Sequence, residues 1–489
     1  MAIPRSSVHA FVRLQPVNLG AKLGAILAWP PLELARFQDK LTRLTFFDPA
    51  CGCGNFLVIA YREIRRLELA CLKAQYGDQQ IDAALLSRVT VDQFYGIEYE
   101  EFPARIAEVA MWMMDHIANN EINEAFRLNY ARIPLKESAH ILHGDALEED
   151  WADLLPPERC SYIMGNPPFI GAKYQSEFQR SQVRRIAGLG GSGGTLDYVA
   201  AWFIKSGHYL QGNRRIRVAF VSTNSITQGE QVAQLWPILF DRHGLEIAFA
   251  HRTFSWGSEA RGKAHVHVVI VGLAHRDHEP PEKRLFSYPD IKGDPVESHH
   301  AALTAYLFDA RGVANRHLVV KEAGRPINGA RRIVTGSQPI DGGNYIFSPL
   351  AKRDFIQAEP AAEPFFRPYL AADDFINGGE RWVLALRGAT PSEIKAMPLV
   401  VERIRRVREF RLASNRKSTL LAANSPAEFG MSVIPDSPFL VVPKVSSERR
   451  EYVPLGYLNP PTIPSDLVFL LIDAALFEFS ILTSRAHMA

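Results

Sequence analysis

The sequence predicts an α/β domain on a mixed, mostly parallel sheet, followed by an α+β domain. Three observations predict it. From Arg43 to Leu273, short apolar runs alternate with amphipathic stretches of helical period. Successive apolar runs end in residues suited to ligand contact, and open parallel sheets bind their ligands beyond the carboxyl ends of their strands. After Ala274 the texture changes to Pro280-Pro281, His299-His300 and frequent Pro, Gly and aromatic residues. The expected divisions are an irregular segment at 1–40, the α/β domain at 41–275 and the second domain at 276–489.

In chain order, Arg43–Phe47 reads as a strand. Phe56–Tyr76 reads as a helix with Arg62, Arg65 and Arg66 on its outer face. Phe94–Ile97 is a strand and Phe102–Asn119 a helix. Ile141–His143 and Ser161–Met164 are strands. Gly188–Gly194 is a mobile loop on composition. Leu196–Leu210 is helical, Arg217–Val221 a strand and Glu230–Phe240 a helix, and Glu246–Ala250 and Val266–Val271 are strands. In the second domain, Tyr345–Phe347, Trp382–Leu386 and Phe439–Val442 read as short strands, and Val401–Phe410 as a basic helix.

Composition excludes several classes. Over 489 residues, 47% hydrophobic and 22% charged content is that of a globular chain, not a disordered or fibrous one. A net charge of +2 confines any basic surface to a local patch. Four cysteines make no disulfide framework, and none has the paired spacing of a metal site. No apolar run has a spanning length, and Met1–Pro31 is a poor signal peptide, so the expected setting is cytoplasmic, with no membrane partner.

Asp48–Phe56 reads D-P-A-C-G-C-G-N-F between a strand and a helix. Gly52 and Gly54 permit a tight turn and close ligand approach, and the helix start offers free N–H groups. Asp48, Pro49, Ala50, Gly52, Gly54, Asn55 and Phe56 are therefore candidate cofactor contacts. An ordinary strand–helix turn is the competing reading. The following strands weigh against it. Glu98 ends one and is placed to accept from two ribose hydroxyls, while Asp145 ends the next and is placed to accept from an adenine amine. A nicotinamide cofactor does not fit: its acidic residue lies about 20 residues past the glycines, and the motif here lacks a third glycine.

Tyr162–Phe169 reads Y-I-M-G-N-P-P-F. Pro167 and Pro168 fix φ and remove two N–H donors. The Asn166 side-chain oxygen and the Pro167 carbonyl can then accept from one planar NH₂ group, biasing its lone pair toward an electrophile. Phe169 offers a stacking face, and Phe254 or Trp256 a second one, although both read equally well as core residues.

These residues resemble the class I S-adenosylmethionine-dependent DNA amino-methyltransferases, in their γ order of cofactor motif, catalytic motif and recognition domain. Further segments resemble the MmeI-like type II restriction–modification enzymes: G-T-L-D-Y-V-A-A-W-F at Gly194–Phe203, V-S-T-N-S-I at Val221–Ile226, K-A-H-V-H-V-V-I-V-G at Lys263–Gly272, G-S-Q-P-I-D-G-G-N-Y at Gly336–Tyr345 and S-S-E-R-R-E-Y-V-P at Ser446–Pro454. The resemblance runs from about Leu41 to Ala489. It implies a Rossmann-like class I methyltransferase domain with a seven-stranded sheet, then a target-recognition domain. It also implies S-adenosyl-L-methionine as cofactor, double-stranded DNA as partner, and methylation of a flipped adenine at N(6). Asn166, where cytosine amino-methyltransferases usually carry Ser, favours adenine. Ring-carbon methylation is excluded because no cysteine follows a proline. In a recognition domain, Arg405, Arg406 and Arg408 within the basic run Glu402–Lys417, with Arg449 and Arg450, become candidate DNA contacts.

The pattern departs from the family at its start. Only 47 residues precede Asp48, and they hold no P-D…(D/E)-x-K nuclease cluster; Glu393-Ile394-Lys395 lies far downstream and reads as surface. The expectation is a chain without its nuclease, which a missing N-terminal region or a separate polypeptide would supply. Two alternatives remain: a truncated DNA-binding fragment with impaired catalysis, and an RNA or protein-glutamine amino-methyltransferase.

Overall fold

The computed structural model describes residues 29–77, 87–127, 138–190, 195–256, 266–326, 329–446, 450–484 and 487. Most of the expected N-terminal segment, part of the Gly188–Gly194 loop and Arg449 lie outside them. The described residues form two compact units, Met1–Glu322 and Ala323–Ala489.

Among the described residues the first unit starts with helix α1 (Pro31–Leu41), within the segment where irregular structure was expected. It continues through β1 (Phe46–Asp48), α2 (Asn55–Tyr76), β2 (Phe94–Glu98), α3 (Glu101–Phe126), β3 (His140–His143) and β4 (Tyr162–Gly165). Helices α4 (Glu177–Ala187) and α5 (Ala200–Tyr209), strand β5 (Arg217–Thr223) and helix α6 (Glu230–Pro237) follow. Four strands complete it: β6 (Leu245–Trp256), β7 (Val266–His275), β8 (Lys283–Ser287) and β9 (Val296–His300). The strand order is β3-β2-β1-β4-β5-β7-β6-β8-β9. Strand β7 runs antiparallel to both β5 and β6. The carboxyl ends of β1 to β6 and of β8 therefore share one edge of the sheet.

Two differences from the sequence expectation share one cause. Among the described residues the sheet has nine strands rather than seven, and the first unit runs past residue 275. Strand β8 pairs in parallel with β6, and β9 closes on β8 as a hairpin, so both belong to the first sheet despite their polar, Pro-flanked sequence. An edge hairpin needs only one buried face, which weakens its hydrophobic signal.

Alternate strand residues feed two cores. Phe47, Tyr95, Ile163 and Val218 pack toward α4 and α5. Phe46, Phe94 and Tyr162 pack with Leu57, Tyr61 and Met111 of α2 and α3. Arg65 is the exception to the expected outward face of α2: it is 2% exposed. Its guanidinium meets Tyr61 Oη at 2.6 Å, Asp115 at 3.0 Å and Asn119 at 2.8 Å, with Glu68 at 3.5 Å. A buried cation is tolerated only with such partners, and here they tie α2 to α3.

The second unit is α+β. One four-stranded sheet contains Val334–Thr335, Val468–Ile472, Phe439–Pro443 and Gly456–Leu458. The other contains Ile346–Phe347, Trp382–Leu384, Phe366–Leu370 and Ile463–Pro464. A helix spans Pro398–Leu412. The Glu393-Ile394-Lys395 segment is a single helical turn in which Glu393 caps Thr390, consistent with surface structure. No described helix is long and apolar enough to cross a membrane.

Candidate active site at the carboxyl edge of the sheet

The D-P-A-C-G-C-G turn leaves β1 and enters α2. Gly52 and Gly54 both have positive φ, +54° and +78°, which an L side chain rarely adopts. A β-carbon on Gly52 would meet nothing within 4 Å, so the space above the turn is open. The Cys51 N–H donates to Ile97 O at 3.0 Å, and the Gly52 N–H donates to Glu98 Oε2 at 2.8 Å. Glu98 Oε1 accepts from the Glu100 N–H at 3.0 Å. Each carboxylate oxygen of Glu98 is thus oriented by one backbone donor and retains acceptor capacity.

Asp48 is fully buried. Its Oδ1 accepts from the Ala50 N–H at 3.0 Å, while its buried Oδ2 has no hydrogen-bond partner among the described residues. Burial pushes this carboxyl up to about 8; the bond from Ala50 opposes the shift and the nearby charge of Glu98 adds to it. Gly165, at the end of β4, touches Asp48 so closely that any β-carbon there would overlap the carboxylate. This explains the glycine before the N-P-P-F tetrapeptide.

Asp145 follows β3. Its Oδ1 accepts from the Leu147 N–H at 2.9 Å and its Oδ2 from Gln182 Nε2 at 2.9 Å. Gln182, on α4, is buried; its oxygen accepts from the Tyr198 hydroxyl at 2.6 Å. Thus Asp48, Glu98 and Asp145 lie at the same edge on successive strands, as their positions after apolar runs implied.

Asn166 leaves β4 at that edge. Its Oδ1 is buried and has no hydrogen-bond donor among the described residues. The loop beyond it is braced from the T-L-D-Y segment. Asp197 Oδ1 accepts from the Ile170 N–H at 3.1 Å, and the Tyr198 N–H donates to Ile170 O at 3.0 Å. Gln175 Nε2 bridges Ile170 O and Leu196 O, each at 2.9 Å. Trp202 Nε1 donates to Pro49 O at 3.0 Å, tying α5 to the glycine turn. Sequence reasoning missed Gln182, Asp197, Tyr198 and Trp202 as supports. The last three lie in the quoted G-T-L-D-Y-V-A-A-W-F segment, but partners so distant in sequence cannot be read from it.

Phe169 and Phe56 pack on a small apolar cluster with Val221, Phe254, Val268 and Ile270. Phe254 is 7% exposed and stacks on Tyr288 with centroids 4.8 Å apart, so of its two readings the core one holds. The side chain of Trp256 lies outside the described residues. Burial raises the thiols of Cys51, Cys71 and Cys160, the last to about 12, far from thiolate chemistry.

Comparison with known proteins decides the family. The model described as "MmeI, DNA-methyltransferase domain" matches residues 28–287, and that described as "MmeI, target recognition domain" matches residues 314–489. The chain belongs to the MmeI family. It is 35% identical over 459 residues to DNA methyltransferase A of Bacillus subtilis (strain 168), covering 93% of this chain and 50% of that protein. It is also similar to the type IIL restriction–modification enzyme MmeI solved in complex with DNA, with a TM-score of 0.90 and 43% identity, over 99% of this chain and 64% of that one. The chain thus spans about half to two thirds of the length of these relatives.

In this MmeI-family chain the match to the recognition domain contains the basic run, whose cations divide into three sets. Arg411 is fully buried and donates to five carbonyls: Pro339, Ile340, Ala422, Ser425 and Glu428, at 2.7–3.0 Å. Arg403 donates to Asn344 O at 3.2 Å and lies 5.0 Å from the centroid of the Phe347 ring. These two face inward, contrary to a single phosphate-facing stripe. Arg405 pairs with Glu402 at 2.8 Å and with Glu409 at 2.5 Å, and Arg406 pairs with Glu402 at 2.9 Å. Arg408, Arg416 and Lys417 are exposed, and Arg450 is half-buried.

Proposed function

We propose that the chain is an S-adenosyl-L-methionine-dependent DNA adenine N(6)-methyltransferase of a restriction–modification system, acting in the cytoplasm on double-stranded DNA. The observation that carries this reading is the buried, unpartnered Oδ1 of Asn166, beside Pro167 and at the same sheet edge as Asp48, Glu98 and Asp145. A buried acceptor without a donor costs about 1–3 kcal/mol, which a substrate amine would recover on binding.

The residues fit the cofactor. The buried, unpartnered Asp48 Oδ2 would face its ammonium group, Glu98 its ribose hydroxyls and Asp145 its adenine amine. Pro49, Ala50, Gly52, Gly54, Asn55 and Phe56 would line its path, in the open space above the glycine turn. When bound, the cofactor supplies a methyl group on sulfonium. Every other requirement falls on the chain. Asn166 Oδ1 and the Pro167 carbonyl would accept from the two N–H groups of an extruded adenine. Pro168 would hold the turn and Phe169 the ring face. The N(6) lone pair is then held toward the methyl carbon for in-line displacement, and the proton it sheds afterwards leaves to solvent. Positioning and fixed dipoles account for such a step without a covalent intermediate.

In the second unit, Arg408, Arg416 and Lys417 would meet phosphates directly, with Arg450 beside them. Arg405 and Arg406 would exchange exposed carboxylate pairs, worth little in water, for phosphates. Arg449 remains a candidate on sequence.

The test is methyl transfer from labelled S-adenosylmethionine to mixed-sequence duplex DNA, followed by digestion and identification of the labelled base by mass. N(6)-methyladenine, lost in Asn166→Ala while cofactor affinity stays within a few-fold, is the expected result. Label on another base would refute adenine N(6) as the acceptor. No transfer despite intact DNA and cofactor binding would favour the impaired-fragment alternative.

A further inference from the structure

A cleft of about 670 Å³ opens in the first unit beside the carboxyl-terminal parts of β5, β6 and β8. Its wall includes Arg252, Thr253, Ser287, Tyr288, Tyr306 and Phe308. None of these belongs to the cofactor or catalytic motifs. Tyr288 links the two regions, since it packs on the same apolar cluster as Phe169 and stacks on Phe254.

Three features set Arg252 into this cleft. The pairing of β6 with β7 shifts register between His251 and Phe254, a bulge that re-aims Arg252 and Thr253 out of the ladder. Arg252 Nε donates to Leu307 O at 2.9 Å. Its guanidinium carbon lies 4.7 Å from the centroid of the Phe308 ring. Leu307 is buried with φ at +60°, unusual for a leucine, at the tip of a tight loop where its N–H and the Phe308 N–H both bond back to Thr304. The loop thus holds Phe308 half-exposed beside the arginine. Among the described residues no carboxylate pairs with Arg252. A half-buried cation, stacked on an aromatic ring and lacking an acidic partner, is built to receive an anion.

We propose that this cleft seats the DNA phosphodiester beside the extruded nucleotide. Arg252 contacts the phosphate, and the rings of Phe308 and Tyr306 lie against the adjoining sugar. The inference rests on the DNA-methyltransferase reading above. Extruding a base rotates its backbone, so a grip on the flanking phosphate would help hold the strand open.

The test measures affinity of the full chain for a mixed-sequence duplex across a salt series, for wild type, Arg252→Gln and Arg252→Lys. S-adenosylmethionine affinity and thermal midpoint are measured in parallel. Arg252→Gln is expected to lose roughly tenfold in DNA affinity and to lower the salt slope by about one, the signature of one lost phosphate contact. Arg252→Lys should keep the wild-type slope, and cofactor affinity should be unchanged in both. An unchanged slope in Arg252→Gln overturns the proposal. If its thermal midpoint also falls, Arg252 only braces the Leu307 loop. A wild-type chain that binds no DNA overturns the parent reading as well, whereas wild-type binding with an unaltered variant slope overturns this proposal alone.

Discussion

The indole N–H of Trp202 donates to the carbonyl of Pro49 at 3.0 Å, across 153 residues of sequence. Trp202 also packs edge-on against Tyr198, whose hydroxyl holds Gln182, which in turn holds Asp145. The Tyr198–Trp202 pair at the start of α5 therefore braces both the glycine turn after β1 and the carboxylate after β3.

Trp202→Phe keeps most of the ring volume and removes the donor. It should cost about 1 kcal/mol of stability and weaken S-adenosylmethionine binding a few-fold. Calorimetric titration and denaturant unfolding check both. Unchanged cofactor affinity would show that the turn holds its shape without this bond.

Asp48 gives a pH signature of definite sign. Its folded carboxyl titrates at about 8, above its ordinary value of 3.8. A raised value stabilises the fold fully below pH 3.8, and that contribution is lost as pH rises toward 8. Asp48→Asn stays neutral throughout. Its thermal midpoint should match wild type near pH 4 and exceed it near pH 8, while its cofactor affinity falls. In wild type, binding the cofactor's ammonium below pH 8 should release a proton, seen as buffer-dependent heats of binding. Wild-type heats that do not vary with the buffer would contradict the assignment.

Asp197 Oδ1 braces the N-P-P-F loop through one backbone bond, from the Ile170 N–H at 3.1 Å, and caps its own turn through a second, from the Val199 N–H at 3.2 Å. Asp197→Ala leaves both donors without this acceptor, at about 1–3 kcal/mol each. Methyl transfer in a single turnover should slow at least tenfold, because a loosened N-P-P-F loop no longer holds the amine in line. Cofactor affinity should stay within a few-fold. Equal losses in both would mark a general folding defect instead.

The basic run should separate by burial. Arg411→Leu removes the donor to five carbonyls and should destabilise the second unit by at least about 3 kcal/mol. Replacing Arg408, Arg416 and Lys417 with Ala together should leave unfolding within about 0.5 kcal/mol of wild type while lowering DNA affinity and its salt slope. A triple variant with a wild-type salt slope would turn that surface away from DNA.

Much of the first unit was legible in the sequence. Its strands and helices were readable because a parallel sheet covered on both faces imposes apolar runs on strands and a 3.6-residue period on helices. The edge hairpin Lys283–His300 was not, because one-sided burial leaves a mixed pattern. Helix α4, with its strongly polar composition, was missed for the same reason.

The sequence by itself determined where the candidate site residues sit. Asp48, Glu98, Asp145 and Asn166 each follow an apolar run, and a parallel sheet necessarily brings such ends to one edge. Only the tertiary structure decided which polar groups serve that edge and which serve the core. Arg65 and Arg411 read as surface cations, yet each is buried and bonds to partners far along the chain. Gln182, Asp197, Trp202 and Arg252 read as unremarkable residues, yet each meets a group from another element. The reason is physical: periodicity encodes where apolar surface goes, whereas a hydrogen bond depends on the direction and distance of two atoms that only the folded chain brings together.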